Sequence, residues 1–399
     1  MLKKNNKFQY IPSLSTGSIA VFLKKHTMLD GTPYSYRFYT DEFPEQFRWD
    51  SFLITAGHFY KQPETRKDFG LPDDVLVFGD SGGYQIATGS IKWNLNIRET
   101  IFNWLEHNSD IAMNLDIPPS GQGTGNLDEC LKISVDNFKY FADKQSGKTK
   151  FLNVLQGFDM DTRKKWYNEV KDFDFYGWSI GFPKPTQNLI AAVIVLLKNR
   201  EFEKSKWLHF LGITSITDFY FLAHLQFLFN KHGYDVTVST DSSTPSRTSA
   251  FANMYHSFQL KTMSFVSLSL GREAIKDLGY ETNDEFLPQY VEHPYKIKFS
   301  ELKDFKNDVY NKLCIHNFII LTEAYKQINS LFVLPLDHLK EIIDGDLYKV
   351  LKSLDEIFEN PDQAEQVYER NLPVYRLFDF KLSKQDTSNQ KELLDTLFE

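Results

Sequence analysis

A carboxylate and two adjacent glycines come directly after an apolar run in the segment Val75-Leu76-Val77-Phe78-Gly79-Asp80-Ser81-Gly82-Gly83-Tyr84-Gln85. The apolar run predicts a buried strand that ends close to Asp80. In parallel α/β barrels the reacting groups collect at the C-terminal ends of the strands. Glycine lets the backbone come close to a ligand that a side chain would block. The segment is therefore a candidate active-site segment.

Two further aspartates occupy equivalent positions. Asp116 follows the apolar run 111–115, and Asp241 follows the β-branched run 236–240. One interpretation is that each aspartate caps the helix after its strand, since aspartate is a favoured N-cap residue. Three aspartates after three strands, with Gln156 after a fourth, favour instead one shared pocket.

The residue types in this pocket indicate its chemistry. Two carboxylates suit glycosidic-bond chemistry, in which one attacks the sugar and the other transfers a proton. The amides of Gln85 and Gln156, the acceptor Asp116 and the ring of Tyr84 suit a flat heterocycle, bound through its edge and by stacking. The alternative for Tyr84 is a place in the hydrophobic core. Together these residues predict a nucleobase pocket beside a sugar-attacking carboxylate.

Short apolar runs alternate with helical periodicity along most of the chain. Apolar side chains from Leu127 to Ala142 recur every three or four residues, and 189–197 is a dense apolar helix segment. A strand and a helix every roughly 25 to 40 residues are typical of a parallel sheet. We therefore predict an α/β fold, a (β/α)8 TIM barrel with strands close to 75–78, 111–115, 151–155, 176–180, 207–211 and 236–240.

The chain of 399 residues is longer than the roughly 250 residues of a plain barrel. This length predicts insertions and an additional segment. Apolar side chains recur with helical spacing from Leu339 to Leu354. We predict a TIM-barrel domain over 1–330 and a helical C-terminal appendage over 331–399.

Composition indicates where the protein acts. Two cysteines, Cys130 and Cys314, in so long a chain indicate a reducing compartment. The apolar segment 189–197 is far shorter than the roughly 20 residues that span a bilayer. We expect a cytoplasmic protein with no membrane partner. The net charge of −8 argues only weakly against a nucleic-acid partner, because binding needs a single basic face.

The chain resembles the tRNA-guanine transglycosylase family, in one order along most of its length. The segment 80–85 resembles the family's Asp-Ser-Gly-Gly-Phe-Gln signature, with tyrosine for the stacking phenylalanine. The segment 109–116 is similar to the one that ends in the base-recognising aspartate. The segment 154–157 is similar to the one whose glutamine reads the guanine edge. The turns at 179–181 and 210–212 resemble the glycine turns that line the family's pocket.

The later motifs resemble the family's catalytic part. Asp241, with Pro245-Ser246-Arg247 downstream, resembles the nucleophilic aspartate with its Pro-Thr-Arg motif. The segment 315–318 is similar to a late family helix. The resemblance implies a double displacement in which Asp241 attacks the sugar and Asp80 handles the proton of the base. It implies that substrate binding involves Ser81, Gly82, Gly83, Tyr84, Gln85, Asp116, Gln156, Gly181, Leu211 and Gly212, and that nucleic-acid binding involves Arg247.

Two features of the family are missing, and both belong to its polynucleotide-binding part. Family members that act on tRNA carry three cysteines before the late helix, which bind zinc together with its histidine. The stretch 289–313 has no cysteine, so His316 is expected to stand alone, and we expect no metal and no cofactor. The arginine-rich continuation after Pro-Thr-Arg, which contacts the anticodon loop in the family, is also missing.

These departures favour the family's DNA-directed branch, which inserts 7-deazaguanines into DNA. The expected partners are DNA and a free guanine or 7-deazaguanine base. The alternatives are a tRNA or another RNA as the polymer, a non-catalytic accessory subunit, and an unrelated barrel hydrolase that uses water in place of a base. The retained Asp80 and Asp241 argue against an accessory subunit, and the retained Asp116 and Gln156 argue against a hydrolase. The oligomeric state is left open.

Overall fold

The structure of the protein, a computed structural model, describes residues 6–14, 25–27, 33–119, 126–271, 285–304 and 307–384. Eight parallel strands close into a barrel in chain order, and helices separate most of them. The predicted (β/α)8 barrel is therefore confirmed. Its strands are β1 (Gln9–Leu14), β4 (Ser51–Thr55), β5 (Leu76–Asp80), β6 (Ile111–Met113), β7 (Lys150–Leu155), β8 (Gly177–Ile180), β9 (Trp207–Phe210) and β10 (Thr237–Ser242).

Two of the strand predictions end too early. β5 continues through Asp80, and β10 continues through Asp241 to Ser242. Both carboxylates therefore belong to the strands themselves, where the ladder to the neighbouring strands fixes their backbone. Two barrel strands, β1 and β4, are not among the predicted runs.

Helices surround the barrel. They are α1 (Ala56–Phe59), α2 (Thr65–Asp68), α3 (Gly83–Ala87), α4 (Leu95–Asn108), α5 (Leu127–Lys144), α6 (Met160–Val170), α7 (Thr186–Lys198), α8 (Glu201–Lys204), α9 (Ile216–Lys231), α10 (Thr244–Ala250), α11 (Asn307–Leu331), α12 (Gly345–Glu359) and α13 (Ala364–Lys384). The predicted helix that starts at Leu127 is confirmed as α5, and Asn126 and Glu129 form a capping box at its start.

The apolar helix α7 is covered on both sides, which accounts for its composition. Its side chains from Leu189 to Leu197 are all buried, because α6, α8 and α13 pack against the helix and its side chains belong to the same core as the barrel strands. Lys164 and Lys198 hold Glu365 of α13 at 2.6 and 2.7 Å. The C-terminal helices therefore share one hydrophobic core with the barrel. Residues 385–399 of the predicted appendage lie outside the described residues.

Two antiparallel hairpins interrupt the barrel pattern. A short one pairs β2 (Lys25–Thr27) with β3 (Pro33–Ser35), and a longer one pairs β11 (Asn253–Gln259) with β12 (Ser264–Ser269). The longer hairpin follows β10 and packs on α11. Among the described helices, none combines the length and the apolar character needed to cross a bilayer.

Candidate active site at the barrel mouth

Three carboxylates meet at the C-terminal end of the barrel. Asp80 ends β5, Asp116 follows β6 and Asp241 lies near the end of β10. Burial raises the pKa of Asp80, and the charge of Asp241 raises it further. Burial also raises the pKa of Asp116 to about 7, with a smaller contribution from Asp80. Asp80 therefore interacts electrostatically with both of the other aspartates.

The helix-capping interpretation of these aspartates is wrong. The N-cap of α3 is Gly82, and the N-cap of α10 is Ser243. The carboxylate of Asp80 instead accepts a hydrogen bond from the Gly82 N–H over 3.2 Å. The side chain of Thr55 also favours the charged form of Asp80 and lowers its pKa. Asp80 is thus held by its own turn while part of its surface stays open to the mouth.

Asp116 and Gln156 form a hydrogen-bonded pair across β6 and β7. Gln156 Nε2 donates to Asp116 Oδ2 over 2.6 Å. This contact orients the amide, so that Gln156 Oε1 points away from the aspartate. Gln156 is 3% exposed, and its Oε1 has no hydrogen-bond partner within the described part of the chain. The pair therefore leaves an acceptor atom, Gln156 Oε1, buried beside Gly181 without a partner in the described ranges.

Two glycines make room for this pair. A Cβ on Gly181 would lie 2.1 Å from Gln156 Oε1, and a Cβ on Gly83 would lie 2.3 Å from the carbonyl oxygen of Asp116. Real Cβ atoms do not tolerate either distance. Of the glycines predicted for the pocket, Gly83 and Gly181 are therefore needed for its shape.

Replacing Gly181 with alanine is expected to displace the Gln156 amide and to break its hydrogen bond to Asp116. The expected loss is about 1–3 kcal/mol of stability, because buried polar atoms lose their partner. The midpoint of urea unfolding measures this change. Gly345→Ala is the matched control, since a Cβ there meets no atom within 4 Å. Equal stability of both variants would contradict the close packing at Gly181.

Asp241 accepts a backbone hydrogen bond and lies close to a buried histidine. Its Oδ1 accepts a hydrogen bond from the Gly212 N–H over 2.8 Å. His209 Nε2 lies 3.3 Å from the same oxygen. His209 was not predicted as a site residue. It lies in β9, two residues after Trp207, and alternation along a strand places both of these side chains on one face; a polar residue two positions before the predicted pocket residue Leu211 is a signal that could have found it.

The remaining predicted residues surround the mouth at different depths. Ser81 is buried and donates to the carbonyl oxygen of Asn114 over 3.1 Å. Gln85 Nε2 lies 3.5 Å from His58 Nε2. Leu211 is half-buried against the core, and Arg247 is exposed on α10. Tyr84 is 67% exposed, so the alternative that it belongs to the core is wrong.

His316 does not stand alone, contrary to the expectation from the sequence. Its Nδ1 lies 2.7 Å from His293 Nε2, and its Nε2 lies 2.7 Å from the carbonyl oxygen of Tyr255. A carbonyl only accepts, so His316 Nε2 donates to it and His316 Nδ1 accepts from His293. Burial lowers the pKa of both histidines, that of His316 to about 4. The two rings form a neutral buried pair.

The histidine pair does not fit the structural zinc of the tRNA-acting family members. Both ring nitrogens of His316 are engaged, so neither is free to bind a metal. Cys314 Sγ lies 3.2 Å from Ser246 Oγ and its thiol has a pKa raised by burial, which disfavours the thiolate that zinc requires. Across the described ranges, no group of three or more histidine, cysteine or acidic side chains is arranged to hold a metal ion.

The fold and site define a (β/α)8-barrel protein with a cluster of three aspartates at its mouth. The chain matches no model of a known protein family, and no curated protein matches it. The resemblance to the transglycosylases therefore depends on the motifs quoted above.

Proposed function

We propose that the protein is a guanine transglycosylase, which exchanges guanine in DNA for a 7-deazaguanine base through a covalent aspartyl-sugar intermediate. One observation carries the proposal. Asp80 and Asp241 interact electrostatically at the mouth, where Asp116 and Gln156 form a hydrogen-bonded pair. An arrangement of two carboxylates for sugar chemistry and two acceptors for a base matches what this exchange requires.

Base recognition follows from the acceptors. The Watson–Crick edge of guanine carries an N1–H and an N2 amino group, which both donate hydrogen bonds. Asp116 and the unpartnered Gln156 Oε1 are suitable acceptors for them. The exposed ring of Tyr84 is suited to stack on the face of the base or of its neighbour. Adenine carries an acceptor at N1, so the same site selects against it.

The sugar step uses Asp241 as the nucleophile. One of its carboxylate oxygens forms a bond to the anomeric carbon while the bond from that carbon to guanine N9 breaks, and the electron pair leaves with the base. Asp80 supplies a proton to the departing guanine, which its raised pKa favours. The incoming base returns a proton to Asp80, attacks the anomeric carbon and releases Asp241. Two inversions give net retention.

DNA is the proposed polymer because the features used for the anticodon loop differ in this chain. The zinc ligands are replaced by the His293–His316 pair. The residues after Arg247 are Thr248, Ser249 and Ala250, without further arginines. On duplex DNA the target guanosine has to leave the stack, which costs a few kcal/mol. RNA remains the alternative polymer.

Incorporation of labelled guanine tests the proposal. We would incubate the protein with duplex DNA, single-stranded DNA and bulk tRNA in parallel, with Asp241→Ala as the inactive control. Label is expected in DNA. Label in tRNA alone would overturn the choice of polymer, and no label in any polymer would favour an accessory subunit. Release of guanine without incorporation, leaving abasic sites, would indicate a hydrolase.

A further inference from the structure

A buried histidine lies directly beneath the proposed nucleophile. His209 on β9 has no exposed surface, and its ring stacks on Phe78 with 5.6 Å between the ring centroids. Its Nδ1 lies 2.8 Å from Ser239 Oγ, and its Nε2 lies 3.3 Å from Asp241 Oδ1. Ser239 and Asp241 are two residues apart on β10. The imidazole therefore lies between Ser239 in the barrel interior and the carboxylate of Asp241.

The contacts on the two sides of the His209 ring indicate which nitrogen carries the proton. The indole Nε1 of Trp207, which can only donate, donates to Ser239 Oγ over 2.7 Å. Ser239 Oγ has one hydrogen and two lone pairs, so beside Trp207 it can either donate to His209 Nδ1 or accept from it. The carboxylate of Asp241 on the other side of the ring selects between the two cases, and it favours a proton on Nε2 with Ser239 donating to Nδ1. A proton on Nδ1 would instead place the Nε2 lone pair against a carboxylate oxygen, which is repulsive.

The two oxygens of Asp241 are therefore not equivalent. Oδ1 accepts from the Gly212 N–H and also faces His209 Nε2. In the structure this second contact is close but not aligned as a hydrogen bond, and Nε2 has no other partner within the described ranges. The torsion that turns a carboxylate is broad, so a small rotation of Asp241 brings Oδ1 onto the Nε2–H direction.

We propose that His209 is a positioning residue for Asp241. Its Nε2–H and the Gly212 N–H together hold Oδ1 toward the barrel interior as the carboxylate reacts, and Oδ2 is the atom that bonds to the sugar. The catalytic part of this inference rests on the proposed function, in which Asp241 is the nucleophile. The proton position on His209, however, is a property of the folded protein and does not depend on any substrate.

The first test is the tautomer of His209 at pH 7.5. Long-range ¹⁵N–¹H correlation spectra of the full chain distinguish the two ring nitrogens, and the resonance that is missing in His209→Phe assigns the residue among the ten histidines. We expect a proton on Nε2 and none on Nδ1. In Ser239→Ala, which removes the hydroxyl donor, we expect the Nδ1 resonance to shift. A proton on Nδ1 in the wild-type protein would overturn the proposal.

The second test measures formation of the covalent adduct with guanosine-containing DNA and with tRNA. His209→Phe keeps a ring against Phe78 and removes the Nε2–H. We expect kcat to fall on the order of 10²-fold because the nucleophile is misplaced, with KM unchanged. His209→Gln, whose amide can donate, should recover part of the rate. An unchanged kcat in His209→Phe would overturn the positioning role.

His224→Phe is the matched control. His224 is equally buried, and its Nε2 lies 2.9 Å from Asp355 Oδ1, in the contact between α9 and α12. We expect this variant to melt at a lower temperature and to keep the wild-type kcat. An equal fall in kcat in His209→Phe and His224→Phe would assign His209 a merely structural role. If His209→Phe does not fold, Ser239→Ala is the variant for kinetics, with a several-fold fall expected. A wild-type protein that forms no adduct would refute the proposed function. The measured tautomer would still show whether His209 Nε2–H faces Asp241.

Discussion

Asp241→Asn is expected to lose covalent adduct formation and base exchange, with a fall in rate on the order of 10⁶-fold, as for other removed nucleophiles. The amide nitrogen or oxygen of asparagine does not form the ester with the sugar. The fold is expected to persist, because the asparagine oxygen can still accept the Gly212 N–H that Asp241 Oδ1 accepts. Denaturing gels and intact-mass spectrometry of protein incubated with nucleic acid detect the adduct.

The control for this result is Asp159→Asn. Asp159 caps α6 by accepting a hydrogen bond from the Thr162 N–H and is not one of the three site carboxylates, and asparagine is an equally good N-cap residue. We expect this variant to form the adduct at the wild-type rate. An Asp241→Asn protein that still forms the adduct would refute the assignment of Asp241 as the nucleophile.

Asp116→Asn is expected to weaken base binding and to stabilise the protein at the same time. The free carboxylate is a charged acceptor for the guanine edge, and hydrogen bonds to charged groups contribute about 1.5–3 kcal/mol, so we expect a loss of affinity of about 10- to 100-fold. Stability moves the other way, because a buried carboxylate is costly to keep charged.

The sign of the stability effect follows from the pKa. Burial raises the pKa of Asp116 to about 7, whereas an unfolded aspartate has a pKa of about 3.9. Between these values the folded protein binds a proton that the unfolded chain has lost, so the free energy of unfolding falls as the pH rises from about 4 to about 7. Asparagine removes this fall. We expect a gain on the order of 4 kcal/mol at pH 8 and little gain at pH 4.

Two measurements check this prediction. Urea unfolding at pH 4 and pH 8 gives the stability, and calorimetric titration with guanine at pH 6 and pH 8 gives the affinity. Wild-type affinity should fall below pH 7, where Asp116 becomes protonated, and Asp116→Asn should lack this dependence. The control is again Asp159→Asn, because hydrogen bonds from Thr162 lower the pKa of Asp159 and no gain is expected there. A destabilised Asp116→Asn protein at pH 8 would contradict the argument.

The sequence predicted the barrel and the position of its aspartates because both depend on local patterns. An apolar run followed by a polar residue is visible without knowledge of the fold. The strands β1 and β4 were missed. β1 is a six-residue strand interrupted by Pro12, and its pairing depends on partners that lie far along the chain.

The parts of the site that were missed depend on contacts between distant segments. His209 meets Ser239 thirty residues later, and His293 meets His316 across a loop and a helix. A lone histidine in a strand is more often a core residue than a functional one, so only the three-dimensional contact gives it meaning. The same limit applies to the engaged nitrogens of His316.

The closing strand of the barrel has a consequence for the order of folding during synthesis. Tyr10 of β1 meets Ser242 of β10 across 232 positions, and Tyr325 and Asn329 of α11 donate to the carbonyl oxygen of Phe8. At 5–20 residues per second, the ribosome needs roughly 10 to 50 s to make the partner of β1. During that time the edge of β1 that pairs with β10 is exposed to solvent and to chaperones, whereas the other edge of β1 can already pair with β4. The barrel therefore closes late. The hydrogen bonds from α11 to Phe8, at the start of β1, form only after α11 has been synthesised.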